Sequence, residues 1–325
     1  MTTAPARGAA WRSLIALYFG LAVVLTAAHG YAVNYGPNQK LRQERHERLA
    51  RGGGEGPWAY RVLSPAVSRA TGAALSPALS RPEDRREVGY LLQRFGFTLA
   101  FFLMFHRIIE VWLPSAWALA GVAIAAALHG PASSHYWFQP DSPGDLALWA
   151  AAALLSLRGR GLWIAPLIAL GALNRETAVF AAPIHLALVW GTEPRARSLG
   201  RTAALLACWA LPTLALRAWI QPSGWAGGQG WSGALQENLG HAEWWLYALS
   251  FGGAWLWLPL RALPALPPPL KRLIFALIPY LGLVLVFGRL RELRLLLPLT
   301  LAFVPAALWT LRAQLEGEGT AAARP

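Results

Sequence analysis

The amino-acid sequence predicts an all-α, polytopic transmembrane helical bundle. Three observations point there. Of the 325 residues 55% are hydrophobic, only 14% are charged, and the mean hydropathy is +0.37; a soluble domain carries about a quarter charged residues. Apolar runs also recur along the chain at lengths close to the roughly 20 residues that cross the hydrocarbon of a bilayer. A water-soluble core has no room for that much apolar surface, so the bilayer itself is the first partner the sequence implies.

About ten candidate spans follow, at 11–33, 88–112, 114–129, 144–157, 161–173, 177–191, 202–219, 244–260, 273–288 and 295–311, within a single integral membrane domain over 1–325. The first run has basic flanks at Arg7 and Arg12 and ends in small residues, so a cleaved signal peptide is its rival reading. Either way the N-terminus starts inside and residue 34 emerges outside. The segment 34–87 is then the first extracytoplasmic loop, with a flexible turn at Gly52-Gly53-Gly54. Its stretch VLSPAVSRATGAALSPALS (62–80) alternates small, apolar and polar residues and fits either a short interfacial helix or an ordered loop. In the second span His106, Arg107 and Glu110 lie toward the inner end, where snorkelling and local pairing are the expectation. Several later runs are shorter than about 17 residues, which suits helices lining an interior better than helices facing lipid.

Arginine placement orients the bundle. Basic residues concentrate in cytoplasmic loops, and the gaps expected inside carry Arg158 and Arg160, then Arg195, Arg197 and Arg201, then Arg261, Lys271 and Arg272, with Arg312 and Arg324 in the tail. The gaps 130–143 and 220–243 carry none. This alternation requires 161–173 and 177–191 to form a hairpin about Asn174-Arg175-Glu176-Thr177 rather than one long helix. Both termini are then cytoplasmic, in a cell (inner) membrane. The first outer loop runs against the rule, with ten basic and six acidic residues.

The net charge of +13 would suggest nucleic acid in a soluble chain. Here the basic residues sit largely in short gaps between apolar runs, as topology markers, and nucleic acid is not an expected partner. The lone Cys208 lies inside an apolar run and offers neither a disulfide nor a cysteine metal site; it and His185 read as packing residues.

With this orientation the outer side collects the unusual polar groups: Glu44, His46 and Glu47; Tyr60 and Arg61; His135, Asp141 and Asp145; Asn174 to Thr177; Glu237, His241 and Glu243; and Arg289, Arg291, Glu292 and Arg294. An ionisable residue at membrane depth costs about 2.5 to 3.5 kcal/mol on insertion scales, so such groups tend to face a cavity and serve function. Two readings stay open for each of the sharpest clusters. The Arg175-Glu176 pair either caps its hairpin or lines a site. The 289–294 cluster either anchors an interface or joins Arg175 in binding a phosphate, for which guanidinium geometry is suited. His129, His135, Asp141 and Asp145 have metal-capable side chains without tight ligand spacing. No cofactor is firmly implied, and a divalent metal stays open.

Four stretches, PWAYRVLSP (57–65), QPDSPGDLALWAAAALL (139–155), GALNRETAVFAAP (171–183) and GRLRELRLLLPL (288–299), resemble in order the bacterial membrane proteins of the C-type glycosyltransferase (GT-C) superfamily. The resemblance implies a multi-pass inverting enzyme with an extracytoplasmic active face. It would move a sugar from a polyprenyl-phosphate donor to a glycan, lipid or protein acceptor of the envelope. It also implies a general base in the first outer loop, usually Asp. No Asp precedes Asp84 here, so that role falls to Glu44 or Glu47, with Glu55 a further choice, or to Asp141 or Asp145. Substrate binding falls to Tyr60, Arg61, Asn174, Arg175, Glu176, Arg289, Arg291, Glu292 and Arg294. The alternatives are a transporter or flippase, against which no internal repeat is evident, and a non-catalytic envelope-assembly protein.

Overall fold

The computed structural model describes residues 5–34, 44, 47–48, 54, 56, 58–134, 141–222, 224 and 230–317. His46, the triple glycine's first two residues, Glu55 and His135 lie outside the described residues, as does the side chain of Asp141. The helices are α1 (Pro5–Asn34), α2 (Leu63–Ala74), α3 (Pro82–Ile109), α4 (Ser115–Ser134), α5 (Asp141–Leu157), α6 (Ile164–Asn174), α7 (Ala181–Val189), α8 (Arg195–Trp219), α9 (Gly230–Gly240), α10 (Ala242–Arg261), α11 (Pro268–Phe287) and α12 (Thr300–Leu315). Short 3-10 turns, among them Glu176–Phe180 and Leu293–Leu295, join them.

Six stretches are long and apolar enough to cross a membrane: Trp11–Ala32, Pro82–Ile109, Ser115–Ala132, Arg195–Trp219, Pro268–Phe287 and Leu293–Leu315. The fold is a membrane-embedded helical bundle. Local chemistry sets several helix starts. Pro82 opens α3 with Glu83 and Asp84 in the first turn, where a missing N–H costs nothing and the helix dipole favours acids. Pro268 opens α11 in the same way. The stretch 62–80 forms helix over 63–74, and it packs rather than floats: Ser64, Pro65, Ser68 and Gly72 are buried, and the Ser68 hydroxyl donates to the Arg86 carbonyl of the next helix.

The last stretch is the hub. Of the residues in its most apolar 18-residue window 78% are buried, against 22% for Arg195–Trp219, so α12 sits inside while α8 shows Leu211, Leu214 and Trp219 to the surroundings. Small residues Ala302, Ala306 and Ala307 of α12 are fully buried, which lets neighbouring backbones come close, as membrane helix packing requires. Against α12 pack α10, α11 and α4, and the same hydrophobic core takes in Phe101, Phe105 and Ile109 of α3, Trp149 of α5, and Leu277 and Tyr280 of α11. Trp149 meets Tyr280 edge-on with ring centroids 4.9 Å apart.

Successive helices run back and forth between two ends of the bundle. In α1, Tyr18 lies beside His106 near the C-terminal end of α3, while Gly30 lies against Leu91 nearer its start. Along α5 the expected hairpin is present. Asn174 at the end of α6 reaches Gly144, Thr177 bonds Asp145, and His185 of α7 is back beside Ser156 at 2.9 Å. Arg175 makes the reversal, with extended backbone at φ −163° and ψ 146°. Gly171 permits it, because a Cβ there would stand 2.8 Å from the Ala178 methyl and 2.5 Å from Leu148.

The C-terminal end of α3 differs from the snorkelling expected of it. Arg107 and Glu110 do pair locally at 2.7 Å, but His106 is fully buried. With its proton on Nε2, toward the Glu110 carboxylate 3.1 Å away, its Nδ1 accepts from the Tyr18 hydroxyl at 2.6 Å. The reason is packing: α1 docks there and removes the ring from any interface.

A buried guanidinium cluster as candidate functional site

One end of the bundle gathers polar side chains from segments far apart in sequence. The 3-10 turn Trp58–Tyr60 leads into α2 and carries Arg61 and Ser64 to the hairpin tip. There the Arg61 Nη2 donates to Glu176 Oε2 at 3.1 Å, and Ser64 Oγ donates to Asn174 Oδ1 at 3.4 Å. From α3, Gln93 Nε2 donates to the same Ser64 oxygen. From α8, Trp209 Nε1 donates to the Glu176 backbone carbonyl at 3.0 Å and fixes the turn from behind. Gly144 leaves room for the Asn174 side chain, since a Cβ there would lie 3.3 Å from Asn174 Nδ2 and 2.9 Å from the Phe97 ring.

The centre is a pair of arginines. Arg175 Nη1 and Arg294 Nη1 both donate to Ser142 Oγ, at 3.1 and 3.0 Å. Arg175 is 7% exposed and Arg294 6%. Arg294 Nη2 also donates to Glu292 Oε2 at 2.6 Å, within its own turn. Asp145, 2% exposed, accepts from the Thr177 hydroxyl and so ties the start of α5 to the hairpin tip. Tyr280 supports the 293–295 turn by donating to the Leu295 carbonyl at 2.7 Å. Two guanidiniums aimed at one neutral hydroxyl put N–H donors around a single point, an arrangement that suits an anionic oxygen still better, because charge-assisted hydrogen bonds are shorter and stronger.

Of the residues expected from the sequence, Arg61, Asn174, Arg175, Glu176, Glu292, Arg294 and Asp145 come together here. Tyr60 lies at the rim with the Arg217 guanidinium 5.6 Å from its ring centroid. Arg289 and Arg291 do not join the cluster. Arg289 pairs with Glu237 of α9 at 2.7 Å, and Arg291 lies over Trp244 at 5.1 Å, beside His241, whose ring stacks on the same tryptophan. Glu47 pairs with Arg86 at 3.7 Å and is half exposed; Glu44 is exposed. His129 is buried with a ring nitrogen bonded to the Ala125 carbonyl, and among the described residues no three His, Cys, Asp or Glu side chains gather as a metal site would need.

Sequence reasoning passed over Gln93, Arg94, Ser142, Trp209 and Asn238. The Gln93-Arg94 pair carried a signal: two strongly polar residues inside an apolar span, both buried to within 7%. Asn238 is fully buried and holds the end of α11, donating to the Leu285 and Gly288 carbonyls at 2.8 and 2.9 Å and accepting from the Leu290 N–H at 2.9 Å. Ser142 and Trp209 carried none, being a common residue type in a loop and one tryptophan of 17.

No family model matches the chain, and neither curated proteins nor solved structures give a match. The fold class and the site therefore rest on the chain's own residues.

Proposed function

We propose that the protein is a membrane glycosyltransferase that takes a sugar from a polyprenyl-phosphate donor and passes it to a hydroxyl of an extracytoplasmic acceptor. The observation that carries this is the convergence of Arg175 and Arg294 on Ser142 in a nearly dry setting. A lipid-borne phosphate is an anion delivered from the bilayer, and a bidentate guanidinium pair buried at one end of the bundle is suited to take it. The four motifs that resemble GT-C enzymes each supply one contacting segment, at Arg61, at Ser142, at Asn174 to Glu176 and at Arg294.

In this reading the chain makes about ten passes, α1, α3 to α8 and α10 to α12, with both termini cytoplasmic and the arginine cluster extracytoplasmic in the cell membrane. Alternate helix directions and the exposed arginines Arg158, Arg160, Arg195 and Arg197 at the opposite end support it. In the reaction the acceptor hydroxyl loses its proton to a carboxylate as its oxygen bonds to the anomeric carbon. The bond from that carbon to the phosphate oxygen breaks, and polyprenyl phosphate leaves with the electron pair, stabilised by the guanidiniums. Glu44 and Glu47, both exposed side chains of the segment that leads to Arg61, are the candidates for the base. Asp145 is assigned instead to holding the hairpin tip, since it is buried and engaged by Thr177.

Purified protein in detergent, offered a panel of polyprenyl-phosphate-linked sugars and acceptor alcohols, tests this. Turnover that falls about a hundredfold in Glu44→Gln or Glu47→Gln, with folding intact, supports the base assignment. Tight lipid binding without turnover on any donor favours a carrier of lipid-linked sugars instead. Orientation is read separately in a Cys208→Ser background. Cysteine at the exposed His241 should react with an impermeant thiol reagent on intact cells, and cysteine at the exposed Arg197 should not.

A further inference from the structure

Two buried oxygens beside the arginine cluster lack a donor. Gln93 is only 7% exposed, and its side-chain nitrogen is spent on Ser64; its Oε1 is buried with no hydrogen-bond partner among the described residues. Glu176 uses Oε2 to accept from Arg61, while its Oε1 is likewise buried with no hydrogen-bond partner among the described residues. Both side chains are held by the same two segments, 61–64 and 174–176. Gln93 donates to Ser64, Ser64 donates to Asn174, and Asn174 lies two residues before Glu176, whose other oxygen is held by Arg61, three residues before Ser64. Buried acceptors left unmatched are rare in folded proteins and costly where they occur.

We infer that Gln93 Oε1 and Glu176 Oε1 form a subsite for hydroxyl donors on the ring carried by the bound lipid phosphate, and that this subsite selects neutral sugars over acidic ones. Both atoms accept hydrogen bonds and cannot give them, so they match O–H groups. The Glu176 charge adds discrimination, because a sugar carboxylate brought to a second buried carboxylate meets repulsion and leaves both oxygens unmatched. Specificity built on buried polar groups is sharper than specificity built on apolar shape, since the wrong ligand leaves those groups unpaired. The inference rests on the donor-lipid reading for the identity of the ring, but its acceptor geometry stands apart from the phosphate.

The test compares binding of bare polyprenyl phosphate, its hexose-linked form and its hexuronate-linked form to the full-length protein, with a soluble methyl hexoside followed by ligand-detected NMR as a fourth probe. The wild type should bind the hexose lipid about tenfold more tightly than the bare lipid, as two added hydrogen bonds imply, and should bind the hexuronate lipid no better than the bare one. Gln93→Met and Glu176→Gln should each lower the ratio of hexose-lipid to bare-lipid affinity several-fold, with folding of both variants read separately from their thermal melts in detergent. Glu176→Gln alone should bring the hexuronate lipid closer to the hexose lipid. Equal affinity of the wild type for all three lipids, or a hexose preference indifferent to both substitutions, overturns the subsite. Failure of bare lipid to bind, with methyl hexoside binding that Gln93→Met abolishes, overturns the phosphate reading and keeps the subsite; binding of neither probe overturns both.

Discussion

The two ends of the bundle handle charge in opposite ways. At the arginine-rich end pairing is local and the side chains are partly in the open: Arg107 with Glu110 three residues on, Arg312 with Glu316 four residues on, Arg201 with Glu193 at 2.6 Å. At the other end, beside the local Arg294–Glu292 pair, the arginines also reach partners far apart in sequence in a nearly dry setting. Arg61 reaches Glu176 across 115 residues, and Arg294 reaches Ser142 across 152. A local surface pair adds little and costs little. A buried long-range one demands that several helices be in place and that charges be stripped of water, which its own attraction rarely repays. Charges held at that cost are better explained by what they bind than by what they stabilise.

That contrast can be broken by substitution. The largest expected effect is at the buried end: Asp145→Ala leaves the buried Thr177 hydroxyl without its charged acceptor and unties α5 from the hairpin tip, so thermal unfolding in detergent should show a loss of about 3 kcal/mol. Tyr18→Phe comes next. It keeps the packing against Phe102 but strips the fully buried His106 Nδ1 of its donor, for an expected loss of about 1 to 3 kcal/mol and looser docking of α1 against proteolysis. Glu110 sharpens the comparison through pH. Burial pushes its carboxyl up, yet the Arg107 hydrogen bond, His106 and Ser115 outweigh burial and hold it below the ordinary range. Its contribution should be fully present above the ordinary carboxylate range and fade as the pH falls through its lowered value, and Glu110→Gln should flatten that part of the acid limb of a stability profile. The smallest effect is at Arg312: alanine there should leave the melting temperature unchanged.

Much of the architecture was legible because periodic and compositional signals are local. Apolar runs placed the long helices, and the arginine alternation demanded the reversal at Asn174 to Thr177, which the extended backbone of Arg175 provides. The short helix at 63–74 was foreseen as one of two options, and its burial against α3 was not, since Ser64 and Ser68 look like surface residues until Gly89 lets the helices touch, with a Cβ there only 2.7 Å from the Ser68 carbonyl oxygen. At the site, one motif cluster divided in a way no spacing rule could reveal. Arg289, Arg291 and Arg294 sit within six residues, but the 3-10 turn at Leu293–Leu295 sends only Arg294 inward, while Arg289 meets Glu237 and Arg291 meets Trp244. Which arginine faces the interior depends on tertiary contacts from α9 and α10, and those are not written in the 289–294 stretch itself.

The central claim is that Arg175 and Arg294, and not their exposed neighbours, hold a lipid phosphate. Titration of folded protein with polyprenyl phosphate, comparing the parent with Arg175→Lys, Arg294→Lys and Arg289→Lys, tests it most directly, because lysine keeps the charge and loses the bidentate fork. The account predicts that Arg175→Lys and Arg294→Lys each weaken binding about tenfold or more, while Arg289→Lys stays within about twofold of the parent. Parent-like affinity in both buried variants, or a loss confined to Arg289→Lys, would contradict it.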